Sequence, residues 1–307
     1  MKIFGLSAVL TGALALPVVA CDLCSVYSAE EANGESGRGI YAGIAGQYTY
    51  FGTVQDSGHK IPNEGVFIKS SVSQVFAGYR FSDRLGLQLN LPMIYRSFEL
   101  DPVRHESEWG LGDISLVGNF IAYQKLEEDF AFRWSLLGGL KLPTGDTHFL
   151  GVEDEVLNTR GIGGHDLALG SGSVDGIVGT GVSARWKRTF LTANAQYAIR
   201  TEGDFHHQYA DDVTWSGGPG YFVALKKNWT LSLQAMVSGE HKGKDTFHGV
   251  PDPDSAETIF YLGPQISFTW GSKLSAQIGV DLPVSIYNSG VQLVPDYRVR
   301  GAVTWRF

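Results

Sequence analysis

The sequence predicts an all-β chain: a transmembrane, antiparallel, up-and-down β-barrel of about twelve strands. Three observations carry this. Apolar and polar residues alternate along many segments of ten or more residues, the period of a strand with one apolar and one polar face. The connections between segments are alternately tight and long, which is the loop pattern of an outer-membrane barrel. Beyond the N-terminus the 307 residues hold no apolar run of about 18 residues, so spanning helices fit poorly. Charged residues are only 18% while Gly numbers 39, as expected where hydrophobicity is spread thinly over alternating positions. The net charge of −8 comes with no basic cluster, which argues against a nucleic-acid partner.

Taken in order, the chain opens with Met1-Lys2, an apolar stretch over 3–15, and Val18-Val19-Ala20. Residues 1–20 read as a secretory signal peptide with a small-residue cleavage site. Cleavage after Ala20 leaves Cys21 first, either as an ordinary N-terminus or, because Val18-Val19-Ala20-Cys21 also resembles a weak lipobox, as a lipidated residue. Residues 21–39 form a polar periplasmic lead-in carrying the only two cysteines, Cys21 and Cys24, in CxxC spacing. Residues 40–307 form the barrel.

Twelve candidate strands run over 40–51, 65–81, 84–98, 109–123, 130–142, 173–186, 189–201, 213–225, 229–240, 258–270, 273–287 and 297–307. In 273–287, Leu274, Ala276, Ile278, Val280 and Leu282 oppose Ser275, Gln277, Gly279 and Asp281; in 84–98, Leu85, Leu87, Leu89 and Leu91 oppose Arg84, Gly86, Gln88 and Asn90. Lengths near ten residues suit a tilted membrane crossing. Connections after even-numbered strands are tight, such as Ser82-Asp83 and Lys187-Arg188. Those after odd-numbered strands are mostly long and polar, the longest over 143–172. Segregated loop lengths put both termini in the periplasm of a Gram-negative cell. The last segment places Tyr297, Val299, Gly301, Val303, Trp305 and Phe307 on one face. It resembles the closing strand of an outer-membrane barrel, whose terminal aromatic is read by the barrel assembly machinery. That machinery and outer-membrane lipid are the expected partners.

Trp109-Gly110-Leu111-Gly112-Asp113-Ile114, then Leu140-Lys141-Leu142-Pro143-Thr144-Gly145-Asp146, then the Gly-rich 161–181 stand in that order. This GxGD, PTGD and Gly-rich succession resembles a family of outer-membrane transporters associated with phenol meta-pathway degradation. The resemblance runs from the third or fourth strand to the end of the chain. It implies passage of small aromatic or hydrophobic molecules. Pro143 fixes φ and Gly145 permits a turn at a strand exit, so the motif reads as structural.

Parity places Arg84, Arg96, Arg133, Lys141, Arg185, Arg200, Arg298 and Arg300 in the lumen, with Arg306, against few acids, mainly Asp175 and Asp281. A basic interior favours anionic solutes; the alternative is that these side chains pair with acidic loops or fill a narrow barrel. All eight histidines, His59, His105, His148, His165, His206, His207, His241 and His248, fall in expected loops beside carboxylates such as Asp204, Asp211 and Asp212. Imidazole with carboxylate can hold a divalent metal, yet His206-His207 is merely adjacent and no HxH spacing occurs. Cys21 and Cys24 suit a disulfide, thiol exchange or half of a copper or zinc site with a periplasmic redox or metal partner, and Ser25 in place of His disfavours haem attachment. With no histidine expected in any strand, an outer-membrane lipase arrangement is disfavoured, and Asp211-Asp212 near His206-His207 is a weak protease pattern. The chain is therefore expected to be a non-enzymatic barrel for passive passage of small molecules, with a metal-handling or redox-linked barrel as the alternative.

Overall fold

The computed structural model describes residues 38–63, 65–100, 104–155 and 164–307. The expected signal peptide and residues 21–37 of the expected lead-in, with Cys21 and Cys24, lie outside the described residues. Twelve strands make the wall: β1 (Gly39–Asp56), β2 (Val66–Arg80), β3 (Leu85–Leu100), β4 (Ile114–Leu126), β5 (Phe130–Leu142), β6 (Asp175–Trp186), β7 (Thr189–Ile199), β8 (Asp212–Leu225), β9 (Trp229–Lys242), β10 (Glu257–Trp270), β11 (Leu274–Asn288) and β12 (Val291–Arg306). Each pairs antiparallel with its neighbours in sequence. β12 returns to β1, from Tyr41↔Arg306 through Tyr50↔Tyr297 without a break in register. The sheet is a closed barrel of twelve strands, an up-and-down meander whose every crossing is a hairpin. Closure suits a bilayer, because hydrocarbon offers no partner to an unpaired peptide group and each costs several kcal/mol, on the order of a lost hydrogen bond or more.

Alternation separates two faces. Gln74, Gln88, Asn90, Ser115 and Gln234 point inward and are buried, whereas Leu87, Leu89, Leu116, Leu136, Leu233 and Ile278 point outward and are exposed. An apolar outside around a polar inside inverts a soluble protein and matches a lipid-facing wall. Outward aromatics gather toward both rims. Tyr79, Tyr123, Trp186, Trp270 and Trp305 lie near the tight turns, and Tyr95, Trp109, Tyr197, Phe260 and Tyr287 lie toward the loops. Such belts anchor a barrel at the two membrane interfaces.

Three features depart most from the sequence reading. The single strand expected over 109–123 is two pieces. Arg104–Leu111 pairs with the loop end of β3, and β4 pairs with its turn end. The break falls where Gly112 donates to the Pro92 carbonyl at 2.8 Å and a Cβ on Gly112 would meet Ile94 Cδ1 at 2.6 Å. Pro92 has no N–H to give to a ladder, and the pairing of β3 passes there from one piece to the other. The loop expected over 288–296 is instead a tight turn, Ser289-Gly290, with Gly290 at φ 60°. β12 then runs through Pro295 by means of a bulge opposite Phe51, where the missing donor is tolerated. Histidines are not confined to loops. His241 lies in β9, and His59, His105 and His207 lie in the short strands His59–Ile61, Arg104–Leu111 and His207–Gln208.

The outward face makes a direct prediction. Leu89→Arg should cost about 2–4 kcal/mol of folding free energy in lipid vesicles, as charge on a lipid face near the bilayer midplane does. Leu89→Met should stay within about 0.5 kcal/mol, as an isosteric exchange on this face. Denaturant titration of folding in vesicles measures both, and equal midpoints for the two variants would mean that this face does not meet lipid.

Candidate functional site

The lumen is built around one carboxylate. Asp113 directly follows the wall break at Gly112, so its side chain turns inward. There Asp113 Oδ1 accepts the Gly145 N–H at 2.9 Å and the Thr144 N–H at 3.1 Å. Oδ2 accepts the Ser171 N–H at 3.0 Å, its hydroxyl at 2.9 Å and Lys141 Nζ at 2.7 Å. Thr144 completes the clasp, its hydroxyl donating to the Gly112 carbonyl and accepting the Ile114 N–H. The two turn motifs and the Gly-rich segment thus meet on Asp113. Gly145 lies so near Gly170 that a Cβ on either would sit 2.7 Å from the other's backbone, which no side chain allows.

What Asp113 fastens is a plug. Leu167, Ala168 and Leu169 are buried. Leu167 packs against Phe51, Val54, Ile68, Phe98 and Leu293, and Leu169 against Val72 and Ile94. These wall residues face inward, so residues 167–169 lie inside the barrel. Arg96, only 1% exposed, reaches from β3 to donate to the carbonyls of Asp166 and Ala168 at 3.0 Å each. Helix α1 (His148–Glu155) adds Leu150, which packs with Ala168 and Tyr209. The Tyr209 hydroxyl donates to the His165 carbonyl, and the His165 and His207 rings stack 5.7 Å apart. At the rim, the His148 backbone N–H and then its ring hold the Asp146 carboxyl below the usual carboxylate range. That contribution to stability is present above the ordinary carboxylate pKa and is lost as pH falls through the depressed one.

Beside the plug runs a belt of ion pairs. Lys141 contacts Asp113 and also Asp175 at 2.8 Å, and Asp175 meets Arg200 at 3.0 Å. Arg200 in turn meets Asp212 at 2.7 Å. Further round, Asp281 accepts from Arg298 at 3.0 Å and from Arg300 at 2.7 Å, and Arg298 lies over the Tyr261 ring 4.1 Å from its centroid. Buried Lys242 meets Asp245 at 2.7 Å.

Below the plug, toward the tight turns, lies a cavity of about 260 Å³. Asn119, Ser135, Asn194, Thr230 and Gln234 line it, with Phe190 and Phe222, and with Arg80 and Arg133 as its cations.

This corrects the expected basic interior. Lys141, Arg200, Arg298 and Arg300 face inward but are matched by carboxylates, because Asp113 and Asp212, taken from sequence as a turn motif and a loop acid, join Asp175 and Asp281 at the lumen surface. Arg84 is not a lumen residue; it lies exposed in the turn before β3 begins. Arg185 closes a turn by donating to the carbonyls of Lys187 and Glu128. Arg96 holds the plug, and Arg133 alone of the eight lines the cavity. Arg80 was missed, although its parity with Gln74 and Phe76 marks it as inward. The adjacent His206 and His207 diverge. His206 is exposed and 2.7 Å from Glu202, whereas His207 is buried against Tyr209. Among the described residues no group of three or more His, Cys, Asp or Glu is placed to hold a metal ion.

Fold and lumen define the class: an outer-membrane β-barrel set in lipid, whose lumen is crossed by an inward loop. The family described as "Putative MetA-pathway of phenol degradation" matches residues 63–293, and the chain belongs to that family. No curated protein matches it. Among solved structures, an outer membrane channel from Pseudomonas putida F1 superposes with a TM-score of 0.70 at 15% identity, over 92% of this chain and 100% of that one. The β domain of the Bordetella autotransporter BrkA gives 0.48 at 8% identity, over 87% and 100%. The translocator domain of NalP from Neisseria meningitidis gives 0.44 at 13%, over 91% of each chain.

Removing the Asp113 carboxylate should free the plug while the wall survives. Asp113→Ala leaves three backbone donors and Lys141 short of an acceptor, an expected loss of about 3–5 kcal/mol as for a broken buried pair. Hydrogen exchange at residues 167–171 should accelerate at least tenfold, with exchange in β9 to β11 unchanged. Acceleration spread evenly over the barrel would show that Asp113 supports the wall instead.

Proposed function

We propose that the protein provides a passive path for small molecules across the outer membrane. The observation that carries this is the cavity of about 260 Å³ inside a closed barrel, separated from the loop end by a plug of few residues. The plug is an inserted loop held by side-chain contacts rather than by the wall's ladders, so it can shift where the closed wall cannot. The barrel therefore carries a narrow, gated route rather than a wide aqueous pore, as expected when twelve strands enclose side chains and a loop. The route suits solutes of about one ring in size. The phenol-degradation family and the channel of P. putida F1 support passage as the role of this chain, and the lumen's mixture of amides, hydroxyls, phenylalanines and arginines accommodates aromatic or anionic solutes. Strand ends Gly39 and Arg306 lie at the rim that carries the tight turns, which supports periplasmic termini and a plug inserted from the cell surface.

Planar-bilayer recording of the refolded protein tests the reading. Wild type should give small, stable conductance, and Arg96→Ala, which removes the tie to the Asp166 and Ala168 carbonyls, should raise it several-fold. A barrel that stays silent in both forms would sink passive passage.

A further inference from the structure

The cations at the level of the plug are answered in two different ways. Lys141, Arg200, Arg298 and Arg300 each contact a carboxylate. Arg96 does not. Its Nη1 donates to the Asp166 and Ala168 carbonyls, and among the described residues neither its Nε nor its Nη2 has an acceptor. Arginine is a permanent cation, and this one is only 1% exposed. A buried charge met by neutral carbonyls, with donors left over, is a costly setting. A better partner stands close by. Two residues are in register with Arg96, Ser70 on β2 and Glu108 on the piece Arg104–Leu111. Glu108 shares the inward parity of Gly110 and is half-buried, while His105, Ser107 and Trp109 on the other parity are exposed. Directly opposite residues on one face of an antiparallel pair have Cβ atoms about 4.5–5.5 Å apart. The guanidinium therefore reaches a carboxylate at 108 by side-chain rotation alone, and the bond would be charged on both sides. The plug draws it the other way, through Nη1. Leu169 of the plug also lies against Gly110, the next inward position to Glu108, where a Cβ would meet Leu169 Cδ1 at 2.9 Å.

We propose that Arg96 is a two-position latch: it holds the Asp166 and Ala168 carbonyls when the plug is seated, and it takes Glu108 when the plug withdraws. In the first position the wall keeps the plug. In the second an ion pair replaces the two bonds lost, which narrows the free-energy gap between a seated and a withdrawn plug. Glu108 is thus a positioning residue that acts through Arg96 and favours opening. The proposal rests on the gated route of the passage reading for its use, but the two positions of the latch are a property of the barrel and can be read without any solute.

The test is hydrogen exchange on the full barrel, refolded in lipid vesicles and read at residues 167–169. Glu108→Gln should slow exchange there by about threefold or more, because the withdrawn plug loses the charged partner of its latch. Arg96→Ala should accelerate it by about tenfold, as the seated plug loses its tie to the wall. Adding Glu108→Gln to Arg96→Ala should then change nothing, since the group that both positions share is gone. Glu108→Asp, which keeps the charge on a shorter stem, should fall between wild type and Glu108→Gln. Exchange in β9 to β11 should be the same in every form. Faster exchange in Glu108→Gln would make Glu108 a prop of the seated plug and overturn the latch. Exchange equal to wild type, or a slowing that persists without Arg96, overturns it too. Should Arg96→Ala fail to fold, Arg96→Gln takes its place in the cycle, and the direction of the Glu108→Gln change still decides. In planar bilayers Glu108→Gln should open less often than wild type. Barrels silent in every form, with the exchange pattern as expected, would defeat the passage reading and leave the latch standing.

Discussion

Closure of β1 on β12 is the constraint from which the rest of the molecule follows. In hydrocarbon a sheet edge cannot be left open, so the first and last strands must find each other across the full length of the wall. Their register is regular from Tyr41↔Arg306 to Tyr50↔Tyr297 and slips only around Phe51 and Pro295. That slip lies toward the loop end, where Phe51, Val54 and Leu293 turn in to meet Leu167 of the plug. The wall is thus strict where it closes and relaxed where it receives the plug.

Once the wall is closed, the lumen becomes a confined polar volume and every charge in it needs an answer. An isolated ion removed from water costs several kcal/mol or more, so the belt beside the plug is made of shared partners. Asp175 serves Lys141 and Arg200, and Asp281 serves Arg298 and Arg300. Each shared carboxylate ties neighbouring strands, and Asp113 adds the plug to the same network. The pairs supply position more than net stability, since a buried pair often does little better than well-packed apolar side chains.

The barrel was legible from sequence because its evidence is local: alternation, tight turns and the aromatic end of the last strand can be read a few residues at a time. The lumen was only half legible. Parity sets Lys141, Arg200, Arg298 and Arg300 on the inward face but does not say what they meet there. Asp212 sits at a strand end, where a loop acid and a lumen acid look alike, and Asp113 turns inward only because the strand breaks at Gly112. The plug left no periodic signal at all, since Leu167 and Leu169 are buried by tertiary insertion of a Gly-rich loop. Pro295 misled in the other direction, reading as a loop where a bulge lets the strand continue.

The three segments that carry the family resemblance are one device divided over the sequence. Gly112-Asp113, Thr144-Gly145 and Gly170-Ser171 are about 30 residues apart at each step, yet they converge on a single carboxylate. Their glycines are needed because backbone meets backbone, as at Gly145 and Gly170. None of these residues lines the cavity; they hold the plug in place. The three segments therefore account for how the lumen is closed, while Arg80, Arg133, Phe190 and Phe222, which line the cavity, stand outside them. In this chain the three segments seat the plug and leave the cavity to the inward residues of the wall.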